Sequence, residues 1–311
     1  MKHLILGLSI VMVICLSIGM YVNQGLDQPT APQLNQPNDV QENATGPNQT
    51  AQPEQEPLRP VNRDTISYTL QNDELNITYN GGDDWIKVPI EKELLFNGEY
   101  RGDEQELIDG SYILTENRAA FLYQQSSVAL TYFTDKGKTW QDSVVSESFP
   151  EMRFRKTDFL TDQFGYVIAS GGRTMSQEYS TAFLTQDGGD TWGATADPPT
   201  TRLIADGGFL DATTGFLSYG TINPMEPDVY VTQDGGESWE KAVFHIPEKY
   251  HQVFVQADVP KKVDNHLSVL VNQGPNGDYK GGKVKGKFVS EDNGLTWNFS
   301  TEVQPDETKQ Q

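Results

Sequence analysis

One cysteine, Cys15, is all that the 311 residues contain, so neither an intrachain disulfide nor a thiolate metal site can form. Histidine is nearly as scarce: His3, His245, His251 and His266 show no metal-ligand spacing. No metal and no cofactor is expected. Positive charge is also short, with 23 Lys and Arg against 44 Asp and Glu. Residues 1–62 hold five of those acids and two of those bases, which leaves 39 against 21 in residues 63–311, a net charge near −18. Such a surface repels phosphate backbones and excludes nucleic acid as a partner; solubility accounts for the charge. Also missing are a Gly-x-Ser-x-Gly nucleophile elbow and a glycine-rich phosphate cradle between a strand and a helix.

Five tryptophans are present, and each closes the same eight-residue stretch. The copies are Thr78-Tyr-Asn-Gly-Gly-Asp-Asp-Trp85, Phe133-Thr-Asp-Lys-Gly-Lys-Thr-Trp140, Thr185-Gln-Asp-Gly-Gly-Asp-Thr-Trp192, Thr232-Gln-Asp-Gly-Gly-Glu-Ser-Trp239 and Ser290-Glu-Asp-Asn-Gly-Leu-Thr-Trp297. Two depart from the pattern: Asp84 stands where Thr or Ser is usual, and Phe133 replaces the leading hydroxyl residue. Each copy reads as a turn between two strands. Asp135, Asp187, Asp234 and Asp292 (Asn80 in the first copy) are placed to accept bonds from backbone N–H groups just downstream. Gly82, Gly137, Gly189, Gly236 and Gly294 suit positive φ, and Trp85, Trp140, Trp192, Trp239 and Trp297 supply one apolar anchor each. These loops read as structural rather than catalytic or calcium-binding, since none has EF-hand ligand spacing.

The pattern [ST]-x-[DN]-x-G-x-[ST]-W resembles the Asp box, or BNR repeat, of sialidases, sortilin-type receptors and photosystem assembly-factor-like propellers. The resemblance implies an all-β fold: a five-bladed β-propeller of four-stranded antiparallel sheets over residues 63–303. Turn residues 55, 52, 47 and 58 positions apart leave no room for a hidden blade. Between boxes, Phe159–Val167 and Phe209–Leu217 repeat one strand–turn–strand unit, and Tyr112–Gln124 and Val253–Val271 repeat it without the glycine. The first blade offers Ile66–Leu70, Leu75–Tyr79 and Trp85–Ile90 but no inner strand, and the last has its own outer strand, Trp297–Val303.

Leu4–Val22 is a largely apolar, uncharged run behind Lys2, about 28 Å long as a helix. Residues 1–22 are expected to be a signal peptide or, by preference, an uncleaved membrane anchor. The positive-inside rule then puts the propeller outside the cytoplasm; cleavage after Ser17-Ile-Gly19 would secrete it. Residues 23–62, rich in Gln, Asn and Pro, are expected to be a disordered linker, and residues 304–311 a polar tail.

Long, varied segments fall on the rim opposite the boxes: Leu94–Ile108, Pro150–Lys156, Gly171–Tyr179, Gly220–Pro227, Pro247–Gln252 and Gln273–Gly282. Loops on a rigid scaffold carry function. Arg153, Arg155, Arg173, Glu178, Tyr179, Glu226, Tyr250, His251 and Tyr279, with Lys280, are the candidate binding residues. The leading expectation is a non-catalytic scaffold that engages an envelope protein or a cell-surface glycan through this rim. The alternative is a sialidase-like glycoside hydrolase using Glu104, Glu178 or Glu226. Against a sialidase stand Leu58-Arg59-Pro60, which lacks the isoleucine of the usual Arg-Ile-Pro motif, and a six-blade requirement.

Overall fold

The computed structural model describes residues 56–305. Among these residues, five sheets follow one another along the chain. The first holds β1 (Ser67–Thr69), β2 (Glu74–Thr78) and β3 (Ile86–Glu91), and a short helix α1 (Lys92–Phe96) follows it. The second is β4 (Tyr112–Leu114), β5 (Ala119–Gln124), β6 (Val128–Phe133) and β7 (Gln141–Ser146). The third is β8 (Met152–Phe159), β9 (Gly165–Thr174), β10 (Gln177–Thr185) and β11 (Gly193–Ala194). The fourth is β12 (Ile204–Phe209), β13 (Gly215–Tyr219), β14 (Asp228–Thr232) and β15 (Glu240–Lys241). Into the last go β16 (Val243–His245), β17 (Gln256–Ala257), β18 (Lys261–Val263), β19 (His266–Asn272), β20 (Lys285–Ser290) and β21 (Thr296–Val303). Each sheet is an antiparallel meander, except that β16 leaves the fourth sheet and pairs in parallel with β21. Among the described residues no helix is long and apolar enough to cross a membrane, and the expected anchor lies outside them.

The repeated turns are built from their own side chains. In the third copy Thr185 Oγ1 donates to Asp187 Oδ1 (2.7 Å) and accepts from Gly189 N (3.0 Å), while Thr191 donates both its N–H and its hydroxyl to Asp187. Asp234 and Asp292 repeat this. Phe133 has no hydroxyl, and Asp135 accepts from the Lys138 and Thr139 amides and from the Thr139 side chain. In the first copy donor and acceptor are exchanged: the Asn80 amide donates to the Asp84 carboxylate (2.9 Å), where elsewhere a hydroxyl donates to an aspartate. Gly236 shows why the fifth position is glycine: its φ is +85°, and a Cβ there would lie 2.2 Å from Thr195 Cγ2.

Alternation along the strands puts apolar residues on both faces of the middle sheets, and four apolar clusters result. Phe121 and Phe133 meet Leu75 and Ile77 between sheets one and two. Leu122 and Leu130 meet Val167 and Ala169 between two and three. Tyr166 and Ile168 meet Leu217 and Tyr219 between three and four, and Phe216 and Val231 meet Val269, Phe288 and Trp297 between four and five. No cluster among the described residues joins the last sheet to the first. The remaining faces of the two end sheets are more polar: the buried Ser67, Thr69 and Asn76 on the first, and Ser268, Lys285 and Lys287 beside Leu270 on the last.

Sequence and structure part at several points. The tryptophans are unequal: Trp297 and Trp239 are buried, whereas Trp85, Trp140 and Trp192 are half-buried. The first sheet lacks a regular inner strand, as its sequence indicates; the chain ahead of it runs along β1 instead, with Val61 N bonded to Tyr68 O. Pro57 and Pro60 prevent a longer ladder there. Two expected loops are mostly strand: Met152–Lys156 belongs to β8, and β9 and β10 extend until only Met175 and Ser176 separate them. A third, from Leu94, begins in α1, whose Leu95 and Phe96 are buried.

Candidate functional site

The nine rim candidates divide into two groups. The first sits on the third sheet and is largely spent inside the fold. Arg153 grips Glu178 through two hydrogen bonds (Nε–Oε2 2.5 Å, Nη2–Oε1 2.6 Å) and also donates to Ile204 O. Glu178 in turn accepts the Ile204 amide (2.7 Å). Arg155 is 3% exposed and donates to the carbonyls of Leu95 and Asn97, anchoring the end of α1. Burial lowers its pKa to about 10. Tyr179 is exposed, with its hydroxyl on Asp197 (3.1 Å), and Arg173 is exposed near the hairpin tip. Arg153, Arg155 and Glu178 therefore hold sheets together, which corrects their reading as ligand contacts.

The second group converges at the fourth and last sheets, where Gly220–Pro227, Pro247–Gln252 and Gln273–Gly282 meet. A cavity of about 700 Å³ is lined by Met225, Glu226, Phe244, His245, Ile246, Pro247, His251 and Gln252. A second, of about 220 Å³, shares Met225 and Gln252 with it and adds Asn223, Gln273, Asn276, Asp278 and Tyr279 among others. Its two loops are tied by Asn276 Nδ2 donating to Asn223 Oδ1 (3.0 Å). The walls are held from behind by Glu302 on β21, which accepts from Tyr250 (2.6 Å), Tyr279 (2.9 Å) and Lys280 (2.5 Å). The Lys280 ammonium first, then the two phenols, hold Glu302 at a pKa of about 2. Tyr250 and Tyr279 thus serve as struts.

Within the groove, Glu226 has an exposed carboxylate, 3.6 Å from Lys241 Nζ. Asp278 is exposed in the adjoining cavity. His251 Nε2 lies 3.1 Å from Ile246 O. Gln273 is buried; its amide nitrogen donates to Tyr279 O and Val284 O, while its Oε1 is buried without a hydrogen-bond partner. An orphaned acceptor beside a cavity costs free energy until something donates to it. Sequence reading named the loops and Glu226 but not Gln273 or Asp278. Both lie in the named segment 273–282, and only the fold shows which amide is left unpaired.

Also missed was a set of charges on β8, β12 and β20 and just after β17. Lys156 on β8 bonds Asp206 on β12 (2.7 Å), Asp158 and Asp206 both lie near the Tyr166 phenol, and Lys285 bonds Asp258 (2.6 Å). Burial first, then these carboxylates, raises the Tyr166 pKa. On the box rim Tyr132 donates to Asp190 (2.6 Å) beside a polar cavity of about 540 Å³, where Arg118 is held by Gly188 O and Asp162 O. Among the described residues no group of His, Cys, Asp and Glu is arranged to hold a metal ion.

No protein-family model matches the chain, and no curated protein matches it. Solved structures do resemble it. The NanB sialidase of Streptococcus pneumoniae is 14% identical, with 65% of this chain and 32% of that one covered and a TM-score of 0.37. The GH74 xyloglucanase of Xanthomonas campestris is 14% identical, with 78% and 38% covered and a TM-score of 0.45. CoXyl43, a GH43 beta-xylosidase/alpha-arabinofuranosidase from a compost microbial metagenome, is 6% identical, with 67% and 78% covered and a TM-score of 0.37. The chain spans about a third of the length of the first two. At such identities the likeness concerns the fold, an all-β, propeller-like array of sheets. These neighbours are glycoside hydrolases, and they correct the expectation of a non-catalytic scaffold. The consumption of Arg153, Arg155 and Glu178 inside the third sheet removes the residues on which that expectation leaned most.

Proposed function

We propose that this protein is a glycan-cleaving hydrolase whose groove lies at the fourth and last sheets. In this reading residues 63–303 form a five-bladed Asp-box propeller. Residues 1–22 tether it outside the cytoplasm through the linker at 23–62. The polar lining carries the reading: Gln273, whose Oε1 is one of six buried side-chain atoms left without a partner among the described residues, borders the cavity, and an amide there suits a sugar hydroxyl. Amides of Asn223, Gln252 and Asn276 line the same joined cavities, which have room for more than one sugar ring. Glycosidic cleavage needs two carboxyl groups, one protonating the leaving oxygen and one acting as base or nucleophile. Glu226 and Asp278 are the exposed carboxylates of this groove and take those roles.

The test is a panel of fluorogenic α- and β-glycosides, with xylan and xyloglucan as polymers, run on the ectodomain. Glu226→Gln and Asp278→Asn are expected to lower kcat by about 10³-fold or more at unchanged Tm, and Gln273→Leu to raise KM. If no substrate is turned over, or if both carboxylate variants retain full activity, the proposal fails.

A further inference from the structure

The walls of the two joined cavities carry fixed charge of one sign. Glu226 lines the larger and Asp278 the smaller, and among the described residues neither arginine nor lysine lines either of them. Cations on the flanking segments are already paired. Lys241 Nζ lies 3.3 Å from Asp228 and 3.6 Å from Glu226, Arg202 Nη1 2.7 Å from Asp228, and Lys280 Nζ 2.5 Å from Glu302. Lys249 Nζ sits over the Tyr250 ring, 4.4 Å from its centroid. A ligand carboxylate would enter this groove without a counter-ion and against two charges of its own sign.

What the groove offers instead is a flat apolar wall. β16 leaves the fourth sheet to lie parallel to β21, and the register sets Phe244 beside Trp297. The two rings stack at 5.8 Å between centroids and 13° between planes, and Phe288 meets Phe244 at 70°. Phe244 is half-buried and borders the same cavity of about 700 Å³ as Glu226. Packed against two rings, it has little freedom to turn. The C–H bonds on one face of a pyranose ring carry partial positive charge, which suits the negative face of an aromatic ring. The Gln252 amide and the unpartnered Gln273 Oε1 border the same joined cavities and suit the hydroxyls at such a ring's edge.

We propose that the groove takes an uncharged polysaccharide of pyranose rings, one of them seated on Phe244, and discriminates against chains that bear carboxylates. The inference rests on the reading of this groove as a glycan site, and adds to it the substrate class and a specificity-determining residue.

The experiment measures equilibrium binding of the full chain (KM where the oligomer is cleaved) to xylohexaose, cellohexaose, mannohexaose, oligogalacturonate and oligosialic acid at pH 8, with turnover of each followed in parallel. At least one neutral hexamer is expected to bind tenfold or more tightly than either acidic chain. Phe244→Leu, which keeps an apolar side chain but no ring, should weaken that binding at least tenfold at unchanged Tm, and Phe244→Tyr should retain it. Glu226→Gln/Asp278→Asn is expected to narrow the gap between neutral and acidic chains. Tighter binding of an acidic chain, no binding of any oligomer, parental affinity in Phe244→Leu, or an unchanged gap in the double variant overturns the proposal. Should Phe244→Leu fail to fold, the affinity gap and its narrowing in the double variant still decide it. Neutral binding without turnover sinks the hydrolytic reading and sustains this one, whereas preferred turnover of an acidic chain does the reverse.

Discussion

The Arg153 guanidinium and the Glu178 carboxylate face each other in a two-bond fork across β8 and β10, and the Glu178 side chain is wholly buried. The pair also anchors the fourth sheet, since Arg153 donates to Ile204 O and Glu178 accepts Ile204 N. Breaking one side leaves a buried charge uncompensated, at a cost of about 3–5 kcal/mol. Arg153→Met and Glu178→Gln are each expected to lower stability by that order in urea melts. The double variant should recover part of the loss. Single variants that melt like the parent would return Arg153 to the binding rim.

The tryptophans should be unequal in stability. Trp297 is 0% exposed and stacks on Phe244 at 5.8 Å between centroids. Trp192 is half-buried and spans from Gly189 O to Ser143 Oγ. Trp297→Ala is expected to cost about 3–5 kcal/mol, with Trp239→Ala next and Trp192→Ala least. Equal losses in chemical denaturation would contradict the packing described.

The exchanged pair in the first turn is open to a four-variant cycle. Asn80→Asp alone sets two carboxylates where a 2.9 Å hydrogen bond stood, and Asp84→Thr alone removes the acceptor. Each is expected to lose on the order of 1 kcal/mol. Together they restore the arrangement of Asp187 and Thr191, and the double variant should regain parent stability. Strict additivity would show that the two positions do not communicate.

Acid should weaken the fold through its turns. Hydroxyl donation from Thr191 and from Ser238 holds Asp187 and Asp234 at about 2, below the usual 3.8. A depressed carboxylate stabilises the fold fully above its unfolded value, and that contribution is lost as pH falls through the folded one. Tm is therefore expected to fall between about pH 4 and pH 2. Thr191→Val/Ser238→Ala should be less stable than the parent at pH 6 and equal to it at pH 2. A stability gap that does not narrow with acid would remove this account.

How much could be read from the sequence follows from how local each feature is. The box turns were legible because every bond in them spans four residues or fewer, from Thr185 to Gly189 or Asp187 to Thr191. The sheets were legible from their spacing and alternation. Arg155 was not: its partners at Leu95 and Asn97 lie about 60 residues away, and an arginine in a varied segment looks the same whether it faces solvent or a carbonyl. The parallel seat of β16 on β21 was hidden for the same reason. Of the candidate groove, the loops and Glu226 were visible. Gln273 was not, because what marks it is a bond it fails to make.

The end faces of the array, which share no apolar cluster, have a mechanical meaning. Four greasy joints couple five sheets in series, and among the described residues no fifth one joins the first sheet to the last. That boundary is therefore the cheapest place for the molecule to flex without unfolding any sheet.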